Sequence, residues 1–327
     1  ACAWTTMTGN YGVRATTAPN RIANSLEGTW FSYLGLMGDA GCSMGYLPTL
    51  GVFSTSNEWA DLVGCKLTIV FARNVADTAH SEMHFLFDAM EAGMKLVVVD
   101  PRFSRTAAKA DRWLAPRPGT DTALILGMIH EIVARGLHDE AFVRQHTNLP
   151  FLVREDTLTL LRAGELATAP RGYAGTDANA NANAFVVLAA DGTLAVAPPS
   201  HRDPAEAEAP RRSPPPPASA GEPAPLLSGS VDVRLADGTT VRCRTAWDHS
   251  SDVWREFPAA RAAEICEIGA DTIRALAVEY ATTQPAAIWL GQGLQRYHHG
   301  HLAFRAAITL GALCGNVGRR HAGVNWS

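Results

Sequence analysis

Lys95-Leu96-Val97-Val98-Val99-Asp100-Pro101-Arg102 decides how this 327-residue chain folds. An apolar run without alternation predicts a strand buried on both faces, and Asp100-Pro101 predicts where it stops. Upstream, Leu67-Thr68-Ile69-Val70-Phe71 has the same character, and between the two lies helical spacing over residues 80–92, stopped by Gly93. Downstream, residues 122–135 predict an amphipathic helix with Leu126, Ile129 and Val133 on one side. Buried strands joined by a helix of about a dozen residues imply a parallel pair. Such a sheet places a ligand crevice at the C-terminal ends of its strands.

The pattern lapses and then returns. Residues 178–184 are an Ala/Asn tract, and residues 198–225, with Pro214-Pro215-Pro216-Pro217, predict a disordered linker. On either side of that linker, residues 185–196 around Asp191-Gly192 and residues 231–243 around Asp237-Gly238 predict β-hairpins. Regular order resumes with a helix over 271–282, a strand Ala286-Ala287-Ile288-Trp289-Leu290, a glycine turn and a helix over 302–313. The expected fold class is α/β. A parallel-sheet, Rossmann-like (doubly wound) domain over 65–165 is inserted in a second α/β domain made of 1–64 and 245–327, with a β-hairpin excursion over 166–244.

Composition narrows the function classes. With 47% hydrophobic and 18% charged residues the chain can bury a substantial core, and a formal net charge of −4 gives no electrostatic footprint for nucleic acid. No apolar run approaches the ~18 residues of a membrane span. The six cysteines, Cys2, Cys42, Cys65, Cys243, Cys266 and Cys314, lack the close pairing of a zinc or iron–sulfur site and read mostly as buried thiols. Ala1 is not a methionine, and residues 324–327 follow a turn as if to continue, so the expectation is the middle portion of a longer subunit.

Chemistry gathers at the predicted strand ends. Ala72-Arg73-Asn74, Asp100-Pro101-Arg102 and Gly291-Gln292-Gly293 each follow a strand. Asp and Asn there can bond ribose or a base edge, and Arg a pyrophosphate. Pro116-Arg117-Pro118-Gly119-Thr120-Asp121 leads into a helix N-terminus, where N–H groups attract anions. Capping and turn formation explain any one of these segments alone; it is their number that points to a nucleotide. No G-x-G-x-x-G follows a strand, which argues against a nicotinamide or flavin domain.

These motifs, with His84-Phe85, Ala110-Asp111-Arg112-Trp113-Leu114 and the segment Gly291-Gln292-Gly293-Leu294-Gln295, Arg305-Ala306, Leu313-Cys314-Gly315-Asn316-Val317-Gly318, resemble the DMSO reductase family of molybdenum enzymes over residues 1–165 and 245–327. The nearest branch resembles nitrate and perchlorate reductases and ethylbenzene and dimethylsulfide dehydrogenases. The resemblance implies a molybdenum (or tungsten) ion held by two molybdopterin guanine dinucleotides, with Asn74, Asp100, Arg102, Gly119, Thr120, Asp121, Gly291, Gln295 and Asn316 as cofactor contacts. It also implies a side-chain metal ligand on the loop Gly38-Asp39-Ala40-Gly41-Cys42-Ser43-Met44-Gly45. Cys42 falls at that position, with Ser43 and Asp39 as competitors; Asp39 and His84 join Cys42 as candidate catalytic groups. A thiolate suits a soft metal centre, although the branch usually carries Asp there.

From the same resemblance come a two-electron redox activity on a small-molecule substrate, a [4Fe–4S] cluster contributed by sequence ahead of Ala1, and an iron–sulfur partner subunit. A membrane-anchor or haem subunit and a periplasmic or membrane-associated location are compatible with it. A hydratase-like family member and a metal-free scaffold subunit are the alternatives. Histidines 80, 84, 298, 299 and 301 are not expected to form a metal site: by the family pattern His84 and His299 pack or bond near the cofactor, and His80 is an exposed helix residue. Tyr11, Trp30 and Tyr46 are candidates to line a substrate funnel, with core packing as the default for each.

Overall fold

The computed structural model describes residues 3–4, 13–30, 40–52, 55, 57–172, 182–197 and 224–326. The chain divides into two compact units: residues 1–128, 262–311 and 316–327 form the first, residues 129–261 and 312–315 the second.

In the first unit, β1 (Ala3–Trp4) and β2 (Thr29–Trp30) make a short parallel pair. The main sheet has five parallel strands: β3 (Leu67–Phe71), β4 (Lys95–Val99), β5 (Arg112–Leu114), β11 (Ala286–Leu290) and β12 (Gly323–Trp326). Their order is β12-β11-β3-β4-β5, so β3 is central, with β4 and β5 on one side and β11 and β12 on the other. The sheet thus draws strands from both sides of the boundary expected at residue 245. Every residue of β3 and β11 is buried, because both faces are covered. On one face Val70, Val98 and Trp289 stand in register and pack with Leu86 and Ala89 of helix Met83–Glu91, while Trp59 stacks on Trp289 at 3.8 Å. Each such side chain stabilises the fold by about 1.5–3 kcal/mol of burial.

Three strands and the hairpins follow their expected bounds closely, and several elements differ. The crossover over 80–92 is a 3-10 turn, His80–Glu82, followed by helix Met83–Glu91. In helix Asp121–Ala134 the fully buried side is Leu124, Ile125, Met128, Ile129 and Ile132; Leu126 and Val133 lie at its margin. The expected loop 38–45 is helical from Gly41 onward: Gly41–Leu50 forms a helix despite Gly41, Gly45 and an internal Pro48. The five described cysteines are buried thiols, none in a disulfide, and Cys2 lies outside the described residues.

In the second unit β6 (Leu152–Arg154), β10 (Thr240–Thr245) and β9 (Ser230–Arg234) form an antiparallel sheet, and β7 (Val186–Leu188) pairs with β8 (Leu194–Val196). The β7–β8 and β9–β10 turns share the tetrapeptide Ala-Asp-Gly-Thr and one local device. Asp191 and Asp237 each accept from the N–H and hydroxyl of the Thr two residues on, while Gly192 and Gly238 take φ of 81° and 88°. The linker 198–223 lies outside the described residues. Among those described, no helix is long and apolar enough to cross a membrane.

Candidate functional site

The C-terminal tips of the sheet form one row. Gly291 N–H donates to Phe71 O at 2.8 Å, Ala72 N–H to Val99 O at 2.9 Å, and Asp100 N–H to Leu114 O at 3.0 Å, so Gly291, Ala72 and Asp100 follow one another across three strands. Adjacent strands lie about 4.8 Å apart, and a ligand along that edge meets all three. Gly291 is fixed there by space. A Cβ on it would overlap the Ala72 carbonyl and come within 2.8 Å of Arg73 Cβ. Ala72 itself holds a left-handed φ of 47°, a strained conformation for a residue with a side chain.

Beside this row lies a small, half-open cleft lined by Gly119, Asp121, Thr122, Leu294, Tyr297, His298, His299, Gly300 and Ala303. Gly119 turns at φ 81° with Tyr297 against it; a Cβ would meet the ring at 3.1 Å. Thr120 donates its hydroxyl to Arg117 O at 2.6 Å, which tightens the turn into helix Asp121–Ala134. Asp121 is buried in the first turn of that helix, and burial, reinforced by the charge of Asp100, pushes its carboxyl from the usual 3.8 up to about 6.

That shift has a stability consequence of definite sign. The folded state holds the Asp121 proton to higher pH than the unfolded chain does, so stability falls as pH rises from about 4 to about 6 and the penalty is complete above that. Asp121→Asn is expected to unfold at higher denaturant than wild type at pH 8, by up to ~3 kcal/mol, with the difference vanishing near pH 4. A constant difference across that range in urea titrations would refute the assignment. A carboxylate kept where it destabilises the fold is a mark of a functional position.

Cys42 is the second residue of helix Gly41–Leu50 and is fully buried. Its N–H donates to Gln295 Oε1 at 3.3 Å, and its Sγ lies 3.6 Å from Ser43 Oγ. Gly41 and Gly45 make the seat: a Cβ on Gly41 would meet Gln295 Cβ at 2.9 Å, and one on Gly45 would meet Phe304 Cβ at 2.5 Å. Tyr46 is core, with its hydroxyl donating to Val324 O at 3.1 Å and its phenol pushed up by burial. The Gly41-x-x-x-Gly45 spacing, which puts both glycines on one helix face, is the sequence signal that could have found this packing.

Other expected contacts lie elsewhere or are already engaged. Asn74 accepts from the Thr106 hydroxyl at 2.9 Å and donates to Asp77 at 2.5 Å, so its amide braces the loop after β3. Arg73 turns inward over Trp59 and pairs with Glu82 at 2.7 Å, and is not placed as a pyrophosphate ligand. Arg102 is exposed, its N–H bonded to Asp100 Oδ1 at 2.8 Å. His84 is exposed with its ring against Phe85. Asn316 is buried at the other end of β11, where it accepts from Ala286 N–H at 3.4 Å, five residues from Gly291 along the strand. Asp39, Tyr11 and Gly38 lie outside the described residues, as does the Trp30 side chain. Among the described residues, no group of three or more His, Cys, Asp or Glu side chains could hold a metal on its own.

The sequence matches the family model for molybdopterin oxidoreductase over residues 21–326. The chain belongs to the molybdopterin oxidoreductase family. Perchlorate reductase subunit alpha of Dechloromonas aromatica is 30% identical over 86% of this chain and 30% of its own length. Respiratory nitrate reductase subunit alpha of Haloferax mediterranei is 30% identical over 94% of the chain and 30% of its own. The chain therefore spans about three-tenths of these relatives. Among solved structures, acetylene hydratase from Pelobacter acetylenicus aligns with a TM-score of 0.50 at 18% identity, covering 96% of this chain and 29% of that one, a likeness of fold.

Proposed function

We propose that this chain is the core of the catalytic subunit of a molybdenum (or tungsten) oxidoreductase. The complete enzyme carries out two-electron redox, with oxygen-atom transfer or hydroxylation of a small molecule, at a metal held by two molybdopterin guanine dinucleotides. One observation carries the reading: Gly291, Ala72 and Asp100 line a single sheet edge in a chain that matches the family almost throughout. Relatives named as reductases and as a dehydrogenase favour redox over hydration.

The residues fit such a group. Glycines at 119 and 291 let the chain pack closely against Tyr297 and Ala72 and so fix the shape of this edge, and the buried Asp121 carboxyl can bond a polar ring edge. Among the described residues no cluster of protein donors could hold a metal alone; in this reading the dinucleotides bring most of the metal's ligands and Cys42 supplies one thiolate. When bound, the cofactor supplies a metal that changes oxidation level by two electrons. The chain's own part is to grip the dinucleotides with Asp100, Gly119, Thr120 and Asp121, to hold Cys42 in place, and to tune the metal through it. Electrons are proposed to pass by a [4Fe–4S] cluster to an iron–sulfur partner, and the assembly to work in the periplasm or at the membrane through its partners.

The complete subunit, purified from a host that makes the cofactor, is expected to contain about one molybdenum or tungsten per chain and to pass electrons to a viologen dye. Absence of pterin after a successful purification would refute the reading. Hydration of an alkyne without dye reduction would replace it with the hydratase.

A further inference from the structure

Helix Gly41–Leu50 begins without a cap of its own. Ala40 offers no side-chain acceptor, and the first N–H groups of a helix have no partner within it. The acceptor for one of them comes from far along the chain: Gln295 Oε1 takes the N–H of Cys42 at 3.3 Å across 253 residues. Gln295 is itself buried, and two glycines hold it from either side. A Cβ on Gly41 would strike Gln295 Cβ at 2.9 Å, and one on Gly300, at the start of helix Gly300–Leu313, would meet the Gln295 backbone at 2.9 Å.

We propose that Gln295 is the positioning residue for Cys42, acting as the helix cap in trans, rather than a contact to the dinucleotide. The amide oxygen fixes the backbone of Cys42, and the Gly41 and Gly300 walls fix the amide. Where the Cys42 sulfur stands therefore depends on a side chain that follows β11, so the ligand-bearing helix and the strand-tip row move as one piece. This rests on the proposed ligand role of Cys42.

Four variants of the complete, cofactor-loaded subunit test it: Gln295→Met, which keeps bulk but loses the acceptor; Gln295→Glu, which keeps an acceptor; Gly41→Ala, which presses on Gln295 from the other side; and Cys42→Ser. Loss of a cap is worth ~1 kcal/mol, so Gln295→Met should speed deuterium exchange of the amides at residues 41–44 about fivefold. The same variant should shift the EPR g-values of the pentavalent metal, Gly41→Ala should shift them too, and Gln295→Glu should bring exchange and spectrum back toward wild type. If Cys42→Ser shifts the spectrum while Gln295→Met and Gly41→Ala change neither exchange nor spectrum, the positioning role is overturned and the ligand reading stands. If Cys42→Ser leaves the spectrum where it was, the ligand reading fails and the positioning role falls with it. Should Gln295→Met not fold, Gly41→Ala probes the same contact from the other side, and its exchange and spectrum decide between the two outcomes.

Discussion

Gly291→Ala is expected to destabilise the first unit by on the order of 4 kcal/mol or more and to leave the complete subunit short of cofactor. The added methyl would overlap the carbonyl oxygen and carbon of Ala72. Those are backbone atoms at the end of a strand paired on both sides, and Gly291 N–H is bonded to Phe71 O at the same point, so relief requires opening the ladder. Ala72 already holds a strained φ, which leaves it little freedom to yield. The control is Gly269→Ala, where the nearest atom is 3.7 Å away and φ is −54°; only ~1 kcal/mol or less is expected for the change at a helix cap. Thermal unfolding together with pterin content separates the two substitutions. A Gly291→Ala protein as stable as wild type, with its pterin intact, would show that the strand-tip row is not where the cofactor is held.

The parts of the fold that were legible are those with a strong local cause. β3, β4 and β11 carry five-residue runs buried on both faces except for the exposed Lys95 that opens β4, and the two Asp-Gly turns specify their hairpins within six residues. What was not legible depends on distant contacts. β5 is three residues long and opens on Arg112, and β12 is four residues beginning at a glycine; each becomes a strand only because a neighbour presents an unpaired edge. Helix Gly41–Leu50 has poor intrinsic propensity, with Gly41 at its start and Gly45 and Pro48 inside it. Its formation rests on the seat offered by residues 295–304, which no local pattern announces.

The same division runs through the site. Asp100, Gly119, Asp121 and Gly291 were legible because topology alone puts strand ends and the following helix N-terminus on one edge. Arg73, Asn74 and Asn316 show what topology leaves undetermined, namely which polar groups the fold keeps for itself. Arg73 is drawn in by Glu82 and Trp59, Asn74 by Thr106 and Asp77, and Asn316 by the free N–H that opens β11. Gln295 was read from resemblance as a cofactor contact, and its bond to Cys42 spans a separation in sequence that spacing rules do not reach.

Cys42→Ala carries the other large effect: turnover should fall by more than about 100-fold while most of the pterin is retained. Loss of a group that merely supports a metal ligand costs about 10–100-fold, and removing the ligand itself should exceed that range. Retention follows from the local structure. The bond from residue 42 to Gln295 is made by the backbone N–H, so the helix keeps its cap and its seat when the thiol is removed. The small void left in place of sulfur costs on the order of 1 kcal/mol, far less than unfolding. Activity, metal and pterin measured on one preparation therefore discriminate three cases. Lost turnover with pterin kept assigns the thiolate to the metal, whereas loss of both would make Cys42 a structural residue of the fold. Full turnover would move the ligand to Ser43, whose hydroxyl is 3.6 Å from the Cys42 sulfur, or to Asp39, and Ser43→Ala and Asp39→Asn would then choose between them.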